Sequence, residues 1–93
     1  MNVIIVEQGQ RAVVGTLEER PDCWEEIAGP GWVGCVQDGN DLFNFAATEL
    51  AEYLGWYESP AILCGDVVFA GEDWTDVPEF VIRAALRQTG VEG

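Results

Sequence analysis

The chain contains no histidine and no lysine; its only bases are four arginines among 93 residues. The commonest general base and the Schiff-base amine are therefore both absent. No Ser-His or Cys-His pair is available to activate Ser59 or any cysteine. Long apolar runs are also missing. The run Val3-Ile4-Ile5-Val6 is four residues, follows no basic segment and is far shorter than a signal-peptide core or a membrane span. Cysteine is scarce: Cys23, Cys35 and Cys64 are odd in number, and their gaps fit no zinc pattern. Their apolar neighbours predict three free, reduced core thiols, hence a reducing, cytoplasmic setting. The glycine-rich Gly29-Pro30-Gly31 lacks the lysine and spacing of a phosphate loop. Asp38-Gly39-Asn40-Asp41 lacks the alternating ligands and closing Glu of a calcium loop. A glycosidase cleft is rare in a chain this small, and paired carboxylates are too common here to single out two. No enzyme, cofactor or metal centre is expected.

What the chain has is negative charge. Seventeen acids against four arginines give −13, with 48% hydrophobic residues. That apolar share is ordinary for a globular domain, so the chain is not a disordered acidic tail. Ninety-three residues make one domain, residues 1–93, with a thin stability margin that four Trp, four Phe and two Tyr help to widen. Between Pro21 and Ile82 stand 13 acids and no base, so internal ion pairs cannot neutralise that stretch. Such a surface repels nucleic acid and anionic lipid. It is open to three readings. The charge serves solubility or salt adaptation; it faces a basic partner; or the acidic loop Glu72, Asp73, Asp76 binds a cation weakly.

The hydrophobic pattern predicts strands at residues 3–6 and 12–17, paired as a hairpin, then a short helix opened by Pro21 and stopped by Gly29. Trp24, Ile27 and Ala28 would be its apolar face. Strands follow at residues 32–36 and 42–45, separated by the Asp38–Asp41 turn signal. Ala46, Ala47, Leu50, Ala51 and Leu54 share one face of a helix that Gly55 ends. Ser59-Pro60 reads as loop. Residues 62–70, apolar but for Asp66, read as a central strand covered on both faces. Asp66 there needs a partner for its carboxylate. Asp76 and Glu79 resemble a capping box for a last helix running to Gly90, with Arg83 and Arg87 near its negative end. The order ββαββαβα implies a small α/β or α+β domain with helices packed on one mixed sheet.

Three groups of residues carry a resemblance: Gly29 with Gly31-Trp32-Val33; Asn44 followed by Ala47-Thr48; and Cys64-Gly65-Asp66-Val67-Val68-Phe69-Ala70-Gly71. Together they resemble a family of small acidic proteins of phages, plasmids and integrated elements, often found near antirestriction genes. The resemblance covers roughly residues 3 to 86 and brings no catalytic residues. The genomic company of that family implies a counter-defence role.

Charge and resemblance lead to one expectation: a non-enzymatic inhibitor of anti-CRISPR or antirestriction type. It would occupy the nucleic-acid-binding surface of a basic host protein as a partial DNA mimic, in the host cytoplasm. The residues expected to make the interface are Glu49 and Glu52, three apart on one helix, with Glu72, Asp73, Asp76 and Glu79. Trp74, in the acidic loop, is the expected anchor, with Trp56 and Tyr57 as further candidates that core packing would explain equally. The alternatives are an immunity or antitoxin protein for one basic nuclease, and an acidic accessory domain that docks on a host or virion protein.

Overall fold

A computed structural model describes residues 1–58 and 62–88. The strands are β1 (Asn2–Val6), β2 (Val13–Thr16), β3 (Glu25–Gly29), β4 (Trp32–Val36) and β5 (Val67–Gly71). The helices are α1 (Phe45–Tyr53) and α2 (Glu79–Gln88), and a single 3-10 turn spans Glu72–Trp74. The order is ββββαβα, an α+β domain. The five strands form one antiparallel sheet in the order β2-β1-β5-β4-β3, where a mixed sheet was expected. Ser59, Pro60 and the helix stop at Gly90 lie outside the described residues.

The β1–β2 hairpin forms as the alternation predicts, with Ile4 opposite Val14. The expected helix at residues 21–29 does not form. Glu25–Gly29 is instead a strand paired with β4, Gly29 opposite Trp32. Pro30 and Gly31 are the turn between them. Proline presets the first turn position, and Gly31 takes the positive φ, 83°, that the second demands. Of the three residues assigned to a helix face, only Ile27 is buried; Trp24 is 71% exposed.

Two further strands are shorter than predicted. Within residues 42–45 only Phe43 pairs, in a lone bridge to Cys64, because Asn44 is already the cap of α1. Residues 63–65 are bound to the approach of α1 rather than to the sheet. Leu63 N–H donates to Thr48 Oγ1, Gly65 N–H to the Leu42 carbonyl, and Asn44 N–H to the Leu63 carbonyl. The central strand is therefore residues 67–71, and every one of them is buried.

Helix α1 ends as its sequence predicts. Gly55, at φ 98°, donates to the Glu52 carbonyl and Trp56 N–H to the Ala51 carbonyl, the paired bonds of a Schellman motif. The capping box at α2 is not made. Asp76 Oδ1 accepts from Asn2 N–H, and the Pro78 carbonyl receives Val81 and Ile82 N–H to start the helix. Asp76 therefore ties the loop before α2 to the start of β1.

Strand alternation sorts the side chains into two cores. Ile4, Val6, Ile27, Trp32, Val36, Val67 and Phe69 face the helices and meet Leu50, Ala51, Val81 and Ala85. Trp32 and Phe69 are fully buried with ring centroids 5.4 Å apart. The Trp32 indole N–H donates to the Leu54 carbonyl, fixing the end of α1 over the sheet. Val3, Cys35, Val68 and Ala70 face the other side. There β2 and β3 are opposite edges, so the chain linking them crosses the sheet. Residues 17–24 form this strap, held by Leu17 N–H on the Met1 carbonyl, Trp24 N–H on the Val36 carbonyl and a Cys23–Cys35 disulfide.

That disulfide corrects the expectation of three free thiols. Cys23 and Cys35 are 12 residues apart, but the strap returns Cys23 over β4 with the Cα atoms 5.4 Å apart. That separation lies within bonding range. Only Cys64 is free among the described residues, and it is half-buried. Cysteine usage therefore no longer argues for a reducing compartment. No helix among the described residues is long and apolar enough to cross a membrane.

Candidate functional site

The acidic segment after β5 is a rigid turn. Gly71 pairs with Thr75 in a lone bridge, Gly71 N–H donating to the Thr75 carbonyl. The Thr75 hydroxyl donates to the Glu72 carbonyl at 2.7 Å. Asp73 and Trp74 both take left-handed backbone angles, φ 57° and 58°. Aspartate tolerates that region; a tryptophan there is strained and held by its surroundings. Glu72, Asp73 and Asp76 are all exposed. Three carboxylates within five residues thus project from a turn whose backbone is pinned at both ends.

Trp74 is half-buried. Its ring lies against the second core, and the Arg20 guanidinium carbon sits 5.7 Å from the ring centroid. Arg20 also pairs with Glu26 on β3. The expected anchor is thus already engaged inside its own molecule, as a lock between the strap and the acidic turn. Trp56 is core: it is 4% exposed, and its indole N–H is buried without a partner. Tyr57 is 81% exposed.

The remaining predicted residues lie in the helical layer. Glu79 opens α2 and is ion-paired with Arg83 one turn later, so part of its charge is met within the helix. Glu49 and Glu52 are half-exposed on α1. Glu52 is in the last turn, the end that Trp32 holds near Gly71. The fold therefore gathers Glu52, Glu72, Asp73, Asp76 and Glu79 toward one end of the sheet, with Glu49 midway along α1. Arg83 and Arg87 interrupt that surface. They border a groove with Tyr53, Phe80 and Pro30 between the two helices.

A second acidic region was missed. Glu25, Asp38 and Asp41 surround a hollow beside Trp24 and Cys64 at the opposite end of the sheet. Asp38 Oδ1 accepts from Asn40 N–H and side chain, and Asn40 Oδ1 from Leu42 N–H. The turn signal at Asp38–Asp41 was visible; its nearness to Glu25 was hidden by the wrong helix at residues 21–29. Asp66, flagged for burial, is half-exposed and accepts from Gln8 N–H at 2.8 Å. No group of three or more His, Cys, Asp or Glu among the described residues is placed to hold a metal ion.

No family model matches this chain, and no curated protein or solved structure matches it either.

Proposed function

We propose that this chain is a non-enzymatic acidic inhibitor that covers the nucleic-acid-binding surface of a basic host protein in the host cytoplasm. The observation that supports this reading is the pinned turn with Glu72, Asp73 and Asp76 exposed on it. Carboxylates fixed before binding lose little entropy on meeting arginines that otherwise hold phosphates. The 13 acids unbroken by a base would steer the encounter and make it fast and salt-sensitive. The mobile-element resemblance is consistent with such a role. In a cytosol the Cys23–Cys35 bridge would be reduced. The strap then depends on its backbone bonds and on Arg20 with Glu26 and Trp74.

The test has two arms. The protein should give no gel shift with DNA or RNA at low salt. It should capture a nucleic-acid-binding host protein at low salt, release it at high salt, and displace nucleic acid from it. Glu72→Lys with Asp73→Asn should slow that association. Asparagine rather than lysine is chosen at 73 because the left-handed backbone there disfavours long side chains. Micromolar binding of nucleic acid by the chain itself would refute the reading. So would capture unaffected by salt.

A further inference from the structure

The two edges of the sheet are built differently. On β3, Glu25 and Glu26 are exposed side by side, and Arg20 pairs with Glu26, so charge guards that edge. The opposite edge, β2, is Val-Val-Gly-Thr, with no charge and no proline. Val13 and Val14 are 52% and 53% exposed. No acid lies between Glu7 and Glu18.

The register shows which backbone groups β2 leaves open. Met1 and Leu17 exchange both bonds: Leu17 N–H donates to the Met1 carbonyl, and the Met1 amine to the Leu17 carbonyl. In an antiparallel ladder such pairs alternate with pairs that exchange none. Gly15 and Val13, two and four residues before Leu17, therefore also face β1. Asn2 confirms the phase: its N–H and carbonyl are taken on the far side by Asp76 and Val77. Val14 and Thr16 thus turn their N–H and C=O groups outward, where no described residue pairs with them.

We propose that β2 is the pairing edge of a homodimer, joining two sheets antiparallel about a twofold axis at Gly15. A twofold axis perpendicular to the sheet requires one residue to face its own copy. With Gly15 in that place, Val14 meets Thr16 of the second copy and exchanges both open bonds with it. The symmetric pair does the same. On the strap side Val13 meets Leu17 of the second copy, covering apolar surface now exposed. Arg11, exposed and without an ion pair among the described residues, stands beside the same edge, whereas Glu18 and Glu19 lie in the bend by which the strap leaves it. Centring on Val14 instead would set Val13 against Gly15 and lose that apolar cover. Each copy carries −13, so the edge free of acids is where two copies approach with least repulsion. This inference does not rest on the proposed function.

Sedimentation equilibrium in about 0.15 M salt, where the screening length is about 8 Å, reads the association directly. One short edge buries less than a standard interface, so the range must extend to roughly 1 mM. The mass should rise from 10.2 kDa toward twice that value. Val14→Pro deletes an outward donor and no bond to β1, so it should leave the circular dichroism unchanged and the protein monomeric. Thr16→Pro, which deletes the other outward donor, should raise the dimer dissociation constant at least about tenfold. If one proline variant fails to fold, the other decides. A monomer at every concentration would overturn the proposal. So would a dimer indifferent to either folded variant.

Discussion

Replacing Asn44 by alanine removes three hydrogen bonds from one fully buried side chain. Its carbonyl oxygen accepts from Ala47 N–H and caps α1, a contribution of about 1 kcal/mol. Its amide donates to the Val6 and Gly65 carbonyls at 2.9 and 2.7 Å. The Gly65 carbonyl, left buried without that donor, costs about 1–3 kcal/mol, whereas the Val6 carbonyl keeps the Val67 N–H across the β1–β5 ladder. The sum is about 2–4 kcal/mol, against a total of roughly 5–14 kcal/mol for a domain of this length. In urea the midpoint should fall measurably, and Tm should drop by more than about 8 °C. Asn44→Asp separates the roles. It keeps the capping acceptor but turns a second acceptor toward two carbonyls, so at pH 7 it should be at least as unstable as the alanine variant. An alanine variant within about 1 kcal/mol of the parent would refute the joint role. An aspartate variant near the parent would show that the two donors contribute little.

Non-reducing peptide mapping should recover Cys23 linked to Cys35 and one alkylatable thiol at Cys64. Reducing the bridge should cost about 3 kcal/mol, the chain-entropy value for a loop of this length, read as a lower urea midpoint with dithiothreitol. Gly71→Ala should cost about 2–3 kcal/mol in the same assay, because a Cβ there would lie 2.4 Å from the Asp76 carbonyl oxygen, a backbone atom that cannot swing away. Glu72→Lys with Asp73→Asn should leave Tm unchanged or higher, since it relieves like-charge repulsion without touching the turn's bonds.

Elements whose period was unambiguous could be read from the residues. The β1–β2 hairpin, β4, both helices and the Gly55 stop follow from β-branched alternation, a helical apolar stripe and one positive-φ glycine. Residues 24–28 fooled the period argument because Trp24, Ile27 and Ala28 fit a helix face, while a strand uses only Ile27. The Pro30-Gly31 turn between two short segments was the better signal. The reach of 62–70 was overestimated because an apolar run does not reveal that Thr48 and Asn44 capture its first half. The disulfide was invisible because it depends on the strap's path across the sheet, a tertiary fact. For the candidate site, the exposure of Glu72, Asp73 and Asp76 was legible from their loop. Trp74's engagement by Arg20 was not, since 54 residues separate them in sequence.

The position of β5 has a consequence for synthesis. It is the middle strand of the sheet and is among the last to emerge, after both hairpins it joins. Until residues 67–71 leave the ribosome, β1 and β4 each carry an open apolar edge with no neighbour. Two separate hairpins are marginal in water, so the nascent chain has little stable sheet to close early. Sheet formation therefore waits for pairings more than 60 residues apart, such as Ile4 with Phe69. Such non-local closure folds slowly and leaves strand edges exposed meanwhile. The dense negative charge between residues 22 and 58 would hold nascent copies apart during that interval.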